Sequence, residues 1–376
     1  MKQTIIYYGN FGLPDTAAGI RVFQIGKILS EHDYNVIYVC NKEKKDNAQN
    51  SLFFFEGFQY NFVYKNKGRI NNILEFILEK DFLDSLISIC NKVKPTMLIG
   101  YNTSYKIQKS MLKYARINQI KIGIDVTEWY SIVLSRRFNK ITALKVYRRI
   151  ISADRQMDFI IAISPYLYKF YRARNEKVVF LPPLFNTLKD DSELFVNCPL
   201  HLVYAGKVER KDLLIPLLDV LKNINDKEIK IYIDIVGMDD EQLKEVWCVD
   251  GELKHIGINC YGWLDHEKTI EIVKKSDFGV LLRHPKLYAR AGFSTKFSEC
   301  MSHGVPMICN KLGGTETVIE SGLDGFIIND LKYKTIYDFI QMLIELPESR
   351  VLEMKRCALK KAKEYFDINN YIRRRK

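Results

Sequence analysis

Between Arg290 and Pro306 the chain reads RAGFSTKFSECMSHGVP, in which a glycine turn at Gly292 leads into a helix. The first amides of that helix come from about Ser294, Thr295 and Lys296. Free N–H groups at a helix start, aided by the macrodipole, bind phosphate or sugar oxygens. Glu299 lies about one turn further in, where its carboxylate can accept two hydroxyls from a ribose. A capped amphipathic helix with a solvated glutamate would read the same way. Metal chemistry finds no comparable pattern. The eight cysteines form no CxxC pair, the histidines show no HxxxH spacing, and no D-x-D signature sits at a strand end. Asp239 and Asp240 read as a helix N-terminus instead.

Such residues need a scaffold, and the hydrophobic pattern supplies one. An apolar run at 4–8 ends in Gly9, a loop rich in glycine, proline and aspartate follows, and a helix-period segment begins near Gly19. A second apolar run at 36–39 completes a β–loop–α–β unit. The alternation continues with a helical run at 73–90, a strand at 97–100, a helix at 104–117 and strands at 122–125 and 159–163. At 182–199 three prolines and several polar residues break the pattern, which predicts an interdomain linker. Strands are expected again at 201–205, 229–236, 258–261, 278–282 and 306–309. Helices at 213–224, 240–246, 266–275 and 295–303 separate them, and a helical region runs on from Leu331. Strands alternating with helices predict parallel sheets covered on both faces, hence an α/β chain of two doubly wound halves. Ligands in such sheets sit at the carboxyl ends of the strands, so two facing halves would enclose a cleft.

Composition bounds the function classes. The 376 residues exceed one typical domain, and 47% hydrophobic with 27% charged residues excludes a disordered or collagen-like chain. No stretch approaches the roughly 18 apolar residues of a membrane span, and MKQTIIYYGN lacks a signal-peptide core. A soluble, cytoplasmic protein with reduced thiols is expected. The net charge of +12 is uneven: residues 1–200 carry +11, and 101–180 hold 16 basic against 5 acidic residues. Within 134–151, Arg136, Arg137, Lys140, Lys145, Arg148 and Arg149 interleave with Leu134, Phe138, Ile141, Leu144 and Ile151. This is either a basic amphipathic helix that docks on the inner face of an anionic membrane or a surface helix with a solvated basic face. Nucleic-acid binding is not expected, because RNP, helix-turn-helix and aromatic–basic strand patterns are missing.

The order of motifs resembles that of the retaining GT-B glycosyltransferases of family 4, the glycosyl transferases group 1. Gly292-Phe293, Glu299, His303-Gly304-Val305-Pro306 and Gly313-Gly314 match its signature in sequence. Tyr204-Ala205-Gly206-Lys207 with Arg210-Lys211-Asp212 looks like the segment that grips the donor diphosphate. Tyr261-Gly262-Trp263-Leu264 looks like the loop whose backbone meets the nucleobase, and Ser276-Asp277-Phe278 like a strand entry. Asp158 to Ser164 and Val179 to Pro183 resemble first-domain segments more weakly. The resemblance covers nearly all of the second half and implies two Rossmann-like domains facing across a cleft. It places an acceptor-binding domain at 1–190, a nucleotide-sugar-binding domain at 191–360 and a helix crossing back at 361–376.

It also implies roles. Lys211, with Lys207 and Arg210, would stabilise charge on the departing diphosphate without a required metal; a solvated cluster on a βα loop is the plain alternative. Glu299 would hold the ribose, and Gly292, Phe293, Ser294, Thr295 and Lys296 the sugar and phosphate, with Gly206 at the diphosphate. The family's first motif glutamate falls at Ala291, which has no carboxylate. Its loss means that the sugar is held differently, or that nothing is transferred. On the acceptor side, Gly19 keeps close backbone approach open and Arg21 is placed toward the cleft. Thr127 stands nearest the position of the family's histidine, and Glu128 could bind an acceptor hydroxyl, against a simple strand end. The expectation is a metal-independent, retaining transfer from a nucleoside diphosphate sugar, UDP-linked before GDP-linked, to a glycan or lipid-linked acceptor. Surface polysaccharide (capsule) synthesis is the implied setting. A catalytically silent GT-B partner or glycan-binding subunit is the alternative.

Overall fold

In the computed structural model the first apolar run becomes β1 (Gln3–Gly9), with five of its seven residues buried. The structure describes residues 2–14, 16–43, 51–65, 79–129, 144, 146–175, 177–206 and 212–372. The chain divides into two units, Met1–Leu181 with Tyr371–Lys376, and Pro182–Asn370.

The strands of the first unit continue with β2 (Tyr34–Glu43), β3 (Ser51–Phe55), β4 (Phe58–Lys65), β5 (Met97–Tyr101), β6 (Lys121–Val126), β7 (Phe159–Ala162) and β8 (Val178–Phe180). Among the described residues they make one eight-stranded sheet in the order β3-β4-β2-β1-β5-β6-β7-β8. Among these described pairings only β3–β4 is antiparallel. Its helices are α1 (Ala17–Glu31), α2 (Lys80–Val93), α3 (Tyr105–Ile117) and α4 (Pro165–Arg172). Thr16 caps α1 by accepting the Gly19 N–H at 3.1 Å, the usual use of threonine at that position. Its central strands β1, β5 and β6 are buried on both faces, and the tyrosines they carry need partners for their hydroxyls. Tyr7 donates to Asp125 Oδ2 at 2.8 Å and Tyr8 to Gln108 Oε1 at 3.1 Å. The Tyr38 and Tyr60 rings stack at 4.4 Å between centroids.

The expected helix at 134–151 lies mostly outside the described residues. Its described end corrects the reading of a uniformly basic face. Arg149 is fully buried, pairing through Nε with Asp154 Oδ2 at 3.2 Å and donating from Nη1 to the Thr103 carbonyl at 2.8 Å. Tyr171 donates to the same carboxylate oxygen at 2.7 Å. Among the described residues no helix is long and apolar enough to cross a membrane.

The second unit holds β9 (Leu200–Ala205), β10 (Ile231–Val236), β11 (Ile258–Cys260), β12 (Phe278–Leu281), β13 (Met307–Cys309) and β14 (Gly325–Ile327). Every pairing in this sheet is parallel, in the order β11-β10-β9-β12-β13-β14. Its helices are α5 (Ile215–Ile224), α6 (Asp240–Trp247), α7 (His266–Lys275), α8 (Leu287–Ala291), α9 (Thr295–Ser302), α10 (Tyr333–Ile344) and α11 (Glu348–Tyr365), and α12 (Asn369–Ile372) spans the division between the units. Asp239 caps α6 through a capping box with Gln242, as its reading as a helix start anticipates.

The stretch 182–199 is a packed part of the second unit, not slack chain. Phe185 N–H donates to the Phe366 carbonyl at 2.9 Å, and Leu188 N–H to Ser302 at 3.0 Å. Lys355 of α11 is buried, and its Nζ donates to the Phe195 and Ser276 carbonyls at 2.6 and 2.8 Å. The same ammonium meets Asp277 Oδ1 at 3.2 Å, which ties the helix to the entry of β12. Beyond α11 the chain returns to the first unit, where the Tyr371 carbonyl accepts from His32 Nε2 at 3.0 Å.

Candidate functional site

Strand order locates the crevice of the second unit. Counted from β9, the sheet runs 3-2-1-4-5-6, and its direction reverses between β9 and β12. In doubly wound sheets ligands bind at that reversal, outside the carboxyl ends of the strands. The residues gathered there are Gly206, Asp212, Arg283 and Lys296.

β9 runs straight into Gly206, whose N–H donates to the Val236 carbonyl at 2.6 Å. Lys296, in the first turn of α9, sends its ammonium over this glycine. A β-carbon on Gly206 would stand 1.9 Å from Lys296 Nζ. The ammonium also lies 4.5 Å from the centroid of the Tyr204 ring, a cation–π distance. Asp212 pairs in an antiparallel bridge with Arg283, just past the end of β12. Its carboxylate accepts from Arg283 Nε at 2.5 Å, from the Tyr204 hydroxyl at 2.6 Å and from Lys296 Nζ at 3.4 Å. Burial alone would raise this carboxyl; Arg283 first and Lys296 second outweigh it and hold it below the ordinary carboxylate range. Burial lowers Lys296, against the pull of Asp212.

Glu299 stands one turn into α9 and is bound to a residue that sequence patterns did not single out. Its Oε1 meets His266 Nε2 at 2.6 Å. The Glu299 side chain is 13% exposed and that of His266 43%. His266 opens α7 directly after its cap, Asp265. The hydrogen bond to Glu299 raises the imidazole pKa, with burial opposing and Glu267 and Asp265 adding.

The start of α9 has no side-chain cap, so its first N–H groups are available for a ligand oxygen. Ser294 is buried and its carbonyl accepts Ser298 N–H at 3.3 Å. Thr295 is half-buried beside it. Gly292 donates its N–H to Tyr288 at 3.1 Å. A β-carbon on Gly313 would meet the Gly292 carbonyl at 2.4 Å, so the glycine pair Gly313-Gly314 braces this turn. Phe293 turns its ring inward onto Phe297 and Phe366, at 5.6 and 5.8 Å between centroids. Its side chain is therefore core, and only its backbone can serve a ligand. Ala291 is fully buried.

Tyr261, Gly262 and Trp263 follow β11. Tyr261 donates its hydroxyl to Asp234 Oδ1 at 3.1 Å, and Gly262 takes a left-handed φ of +64°. The Gly262 N–H donates to Met238 at 3.0 Å, and its carbonyl accepts from Gly237 at 2.6 Å. Both backbone groups of the glycine are thus engaged in the turn, and the side chains of Tyr261 and, above all, the 79% exposed Trp263 form the accessible surface of the loop.

In the first unit the acceptor-side candidates sit as follows. Arg21 is buried and grips Asp125, with Nη2 2.7 Å from Oδ1 and Nε 2.9 Å from Oδ2, while Nη1 donates to the Leu181 carbonyl at 2.8 Å. Arg21 thus spends its guanidinium within the first unit, on Asp125 and the Leu181 carbonyl. Gly19 packs against its own loop: a β-carbon there would lie 1.8 Å from the Leu13 carbonyl oxygen. Thr127 is buried, its N–H donating to Asn102 Oδ1 at 3.0 Å, its hydroxyl between Asn102 Nδ2 and Tyr101. Glu128 next to it is exposed. Lys207, Arg210 and Lys211 lie outside the described residues.

Sequence reasoning gave no role to Arg283 or His266, and Asp212 only a place at the end of the diphosphate segment. Arg283 had one usable signal, its place at the carboxyl end of an apolar strand run. Asp212 closes the basic segment that begins at Lys207. His266 had none, because only the fold sets it against Glu299.

Known proteins bear on this unit directly. Residues 199–346 match the family model of the glycosyl transferases group 1. Over 206 residues the chain is 25% identical to an uncharacterized glycosyltransferase of Methanocaldococcus jannaschii, covering 51% of this chain and 50% of the relative. The chain thus spans about half the length of that curated relative. Sucrose-phosphate synthase of Thermosynechococcus elongatus is similar in structure, with a TM-score of 0.76 at 14% identity over 98% of this chain and 96% of that one. Anabaena HepE in complex with UDP-glucose gives 0.65 at 14% identity over 98% and 97%.

The fold is GT-B. The family match and the curated relative are both to glycosyltransferases, and the solved structures share the GT-B architecture that the motif resemblance implies.

Proposed function

We propose that this chain transfers a glycosyl group from a nucleoside diphosphate sugar, UDP-linked before GDP-linked, to a glycan or lipid-linked acceptor with retention of configuration. The observation that carries this reading is a coincidence of place. The stretch that matches the glycosyl transferases group 1 model folds as the six-stranded unit, and its crevice lies beside the uncapped start of α9 with Glu299 one turn in.

In this reading Glu299 accepts the ribose hydroxyls, the α9 amides from Ser294 to Lys296 receive phosphate or sugar oxygens, and Trp263 covers the base. Lys211, Arg210 and Lys207 neutralise the leaving diphosphate, so that no metal is required. The leaving phosphate oxygen takes the acceptor proton on the same face, and no protein nucleophile is needed. Glu128, exposed two residues past β6, is an acceptor-side candidate. Work at the cytoplasmic face of a membrane, in the synthesis of surface polysaccharide, suits a lipid-linked acceptor.

Ligand-observed NMR of wild type and Glu299→Ala against UDP, GDP and their sugars tests the reading. A donor that binds and loses affinity in the variant supports it. Silence across the panel from folded protein would favour the second reading, a catalytically silent GT-B subunit. That reading has its own observation, the buried Ala291 where the family's first motif carboxylate would stand.

A further inference from the structure

We propose that Arg283 and Lys296, held in place by Asp212, form a diphosphate clamp at the reversal between β9 and β12, from residues other than Lys207 to Lys211. The inference rests on the nucleotide-sugar reading above and names residues that grip its anionic part.

The geometry has three elements. First, two cations share one carboxylate, which leaves the cluster a net positive charge at the point where the sheet rule places ligands. Second, the carboxylate lies beneath and the cations face outward: the Asp212 side chain is 6% exposed, against 23% for Arg283 and 25% for Lys296. Third, Asp212 engages Arg283 through Nε alone, and among the described residues the two Nη groups take no hydrogen-bond partner. A guanidinium fixed by Nε presents its remaining edge as a fork, the arrangement that matches two phosphate oxygens. Lys296 supplies a point charge beside it, over a glycine that has no side chain to block approach.

Asp212 is then a positioning residue, and the sign of its effect separates this role from a bystander's. A carboxylate near a diphosphate repels it, so removing its charge strengthens binding if charge is all it contributes. If it holds the fork, Asp212→Asn weakens binding.

Isothermal titration of UDP, UMP and uridine, with the guanosine series in parallel, into wild type, Arg283→Gln, Lys296→Gln and Asp212→Asn decides the matter. Each cation variant should lose about tenfold or more in diphosphate affinity, the usual scale for a charge-assisted hydrogen bond, with nucleoside affinity within about twofold. Asp212→Asn should lose about threefold or more on the diphosphate alone. Diphosphate affinities in both cation variants within about twofold of wild type, or tighter binding by Asp212→Asn, would overturn the clamp. Because Arg283 and Lys296 are partly exposed, their variants decide the question even if Asp212→Asn fails to fold. Wild type that binds neither UDP nor GDP would remove the donor reading and the clamp with it, an outcome distinct from a nucleotide that binds without them.

Discussion

The ammonium of Lys296 lies where a side chain on Gly206 would begin, 1.9 Å from the ideal β-carbon position. The glycine has φ of +151°, outside the range that side chains favour. Gly206→Ala is therefore expected to cost about 1–3 kcal/mol from backbone strain. It should also push Lys296 off Asp212, since the far end of a lysine moves before the backbone does. Urea unfolding measures the first effect and nucleotide titration the second. Unchanged nucleotide affinity would show that the ammonium's position is immaterial.

The His266–Glu299 pair makes a pH prediction with a definite sign. The folded imidazole titrates above its ordinary value because Glu299 accepts its hydrogen bond. The stability it contributes is complete below about pH 6.5 and is lost as pH rises through the higher folded value. Glu299→Gln should lower the His266 titration midpoint in an NMR pH series. If ribose hydroxyls displace the imidazole from Glu299, saturating nucleotide should lower it as well. By linkage, nucleotide affinity then rises with pH across the same interval. A midpoint indifferent to both changes would count against the shared carboxylate.

Arg21 and Asp125 are both buried and bound to one another. Removing one partner leaves the other charge without compensation, which costs about 3–5 kcal/mol. Arg21→Met should therefore lower the urea midpoint of the unfolding phase assigned to the first unit, with Asp125→Asn doing the same. An Arg21→Met protein that keeps its urea midpoint would count against this pair as a determinant of stability.

Gly19→Ala tests the loop before α1. On helix propensity alone, alanine would stabilise this position by about 1 kcal/mol. The Leu13 carbonyl oxygen, 1.8 Å from the added carbon, reverses the sign. A net loss of about 1–3 kcal/mol in chemical denaturation is expected, the range for overpacking.

What the sequence made legible was local. Helix α7 begins and ends where its pattern predicts, because Asp265 caps it and Ser276 turns extended at its end. The apolar runs of β1, β5, β6 and β9 stand out because a parallel sheet buries both faces of its strands. The β3–β4 hairpin escaped the same reading: four of the five β3 residues are exposed, so no inward–outward alternation marks it. Pairings set by strand order were equally hidden. Asp212 and Arg283 lie 71 positions apart, His266 and Glu299 33, and Arg21 and Asp125 104. Lys355 carries no sequence signal of its own, and only the packed structure shows its ammonium enclosed. Site chemistry was readable where the amino acids are neighbours in the chain, as from Gly292 to Glu299, and unreadable where sheet topology makes them neighbours.

The return of the chain to His32 sets an order of assembly. Everything needed for the first unit up to Leu181 leaves the ribosome before the second unit is made, yet Tyr371 follows only after about 190 further residues. At about 5–20 residues per second, the nascent first unit waits on the order of 10–40 s for that piece. During this interval the second unit can reach its folded state, and the bond from His32 to the Tyr371 carbonyl closes last.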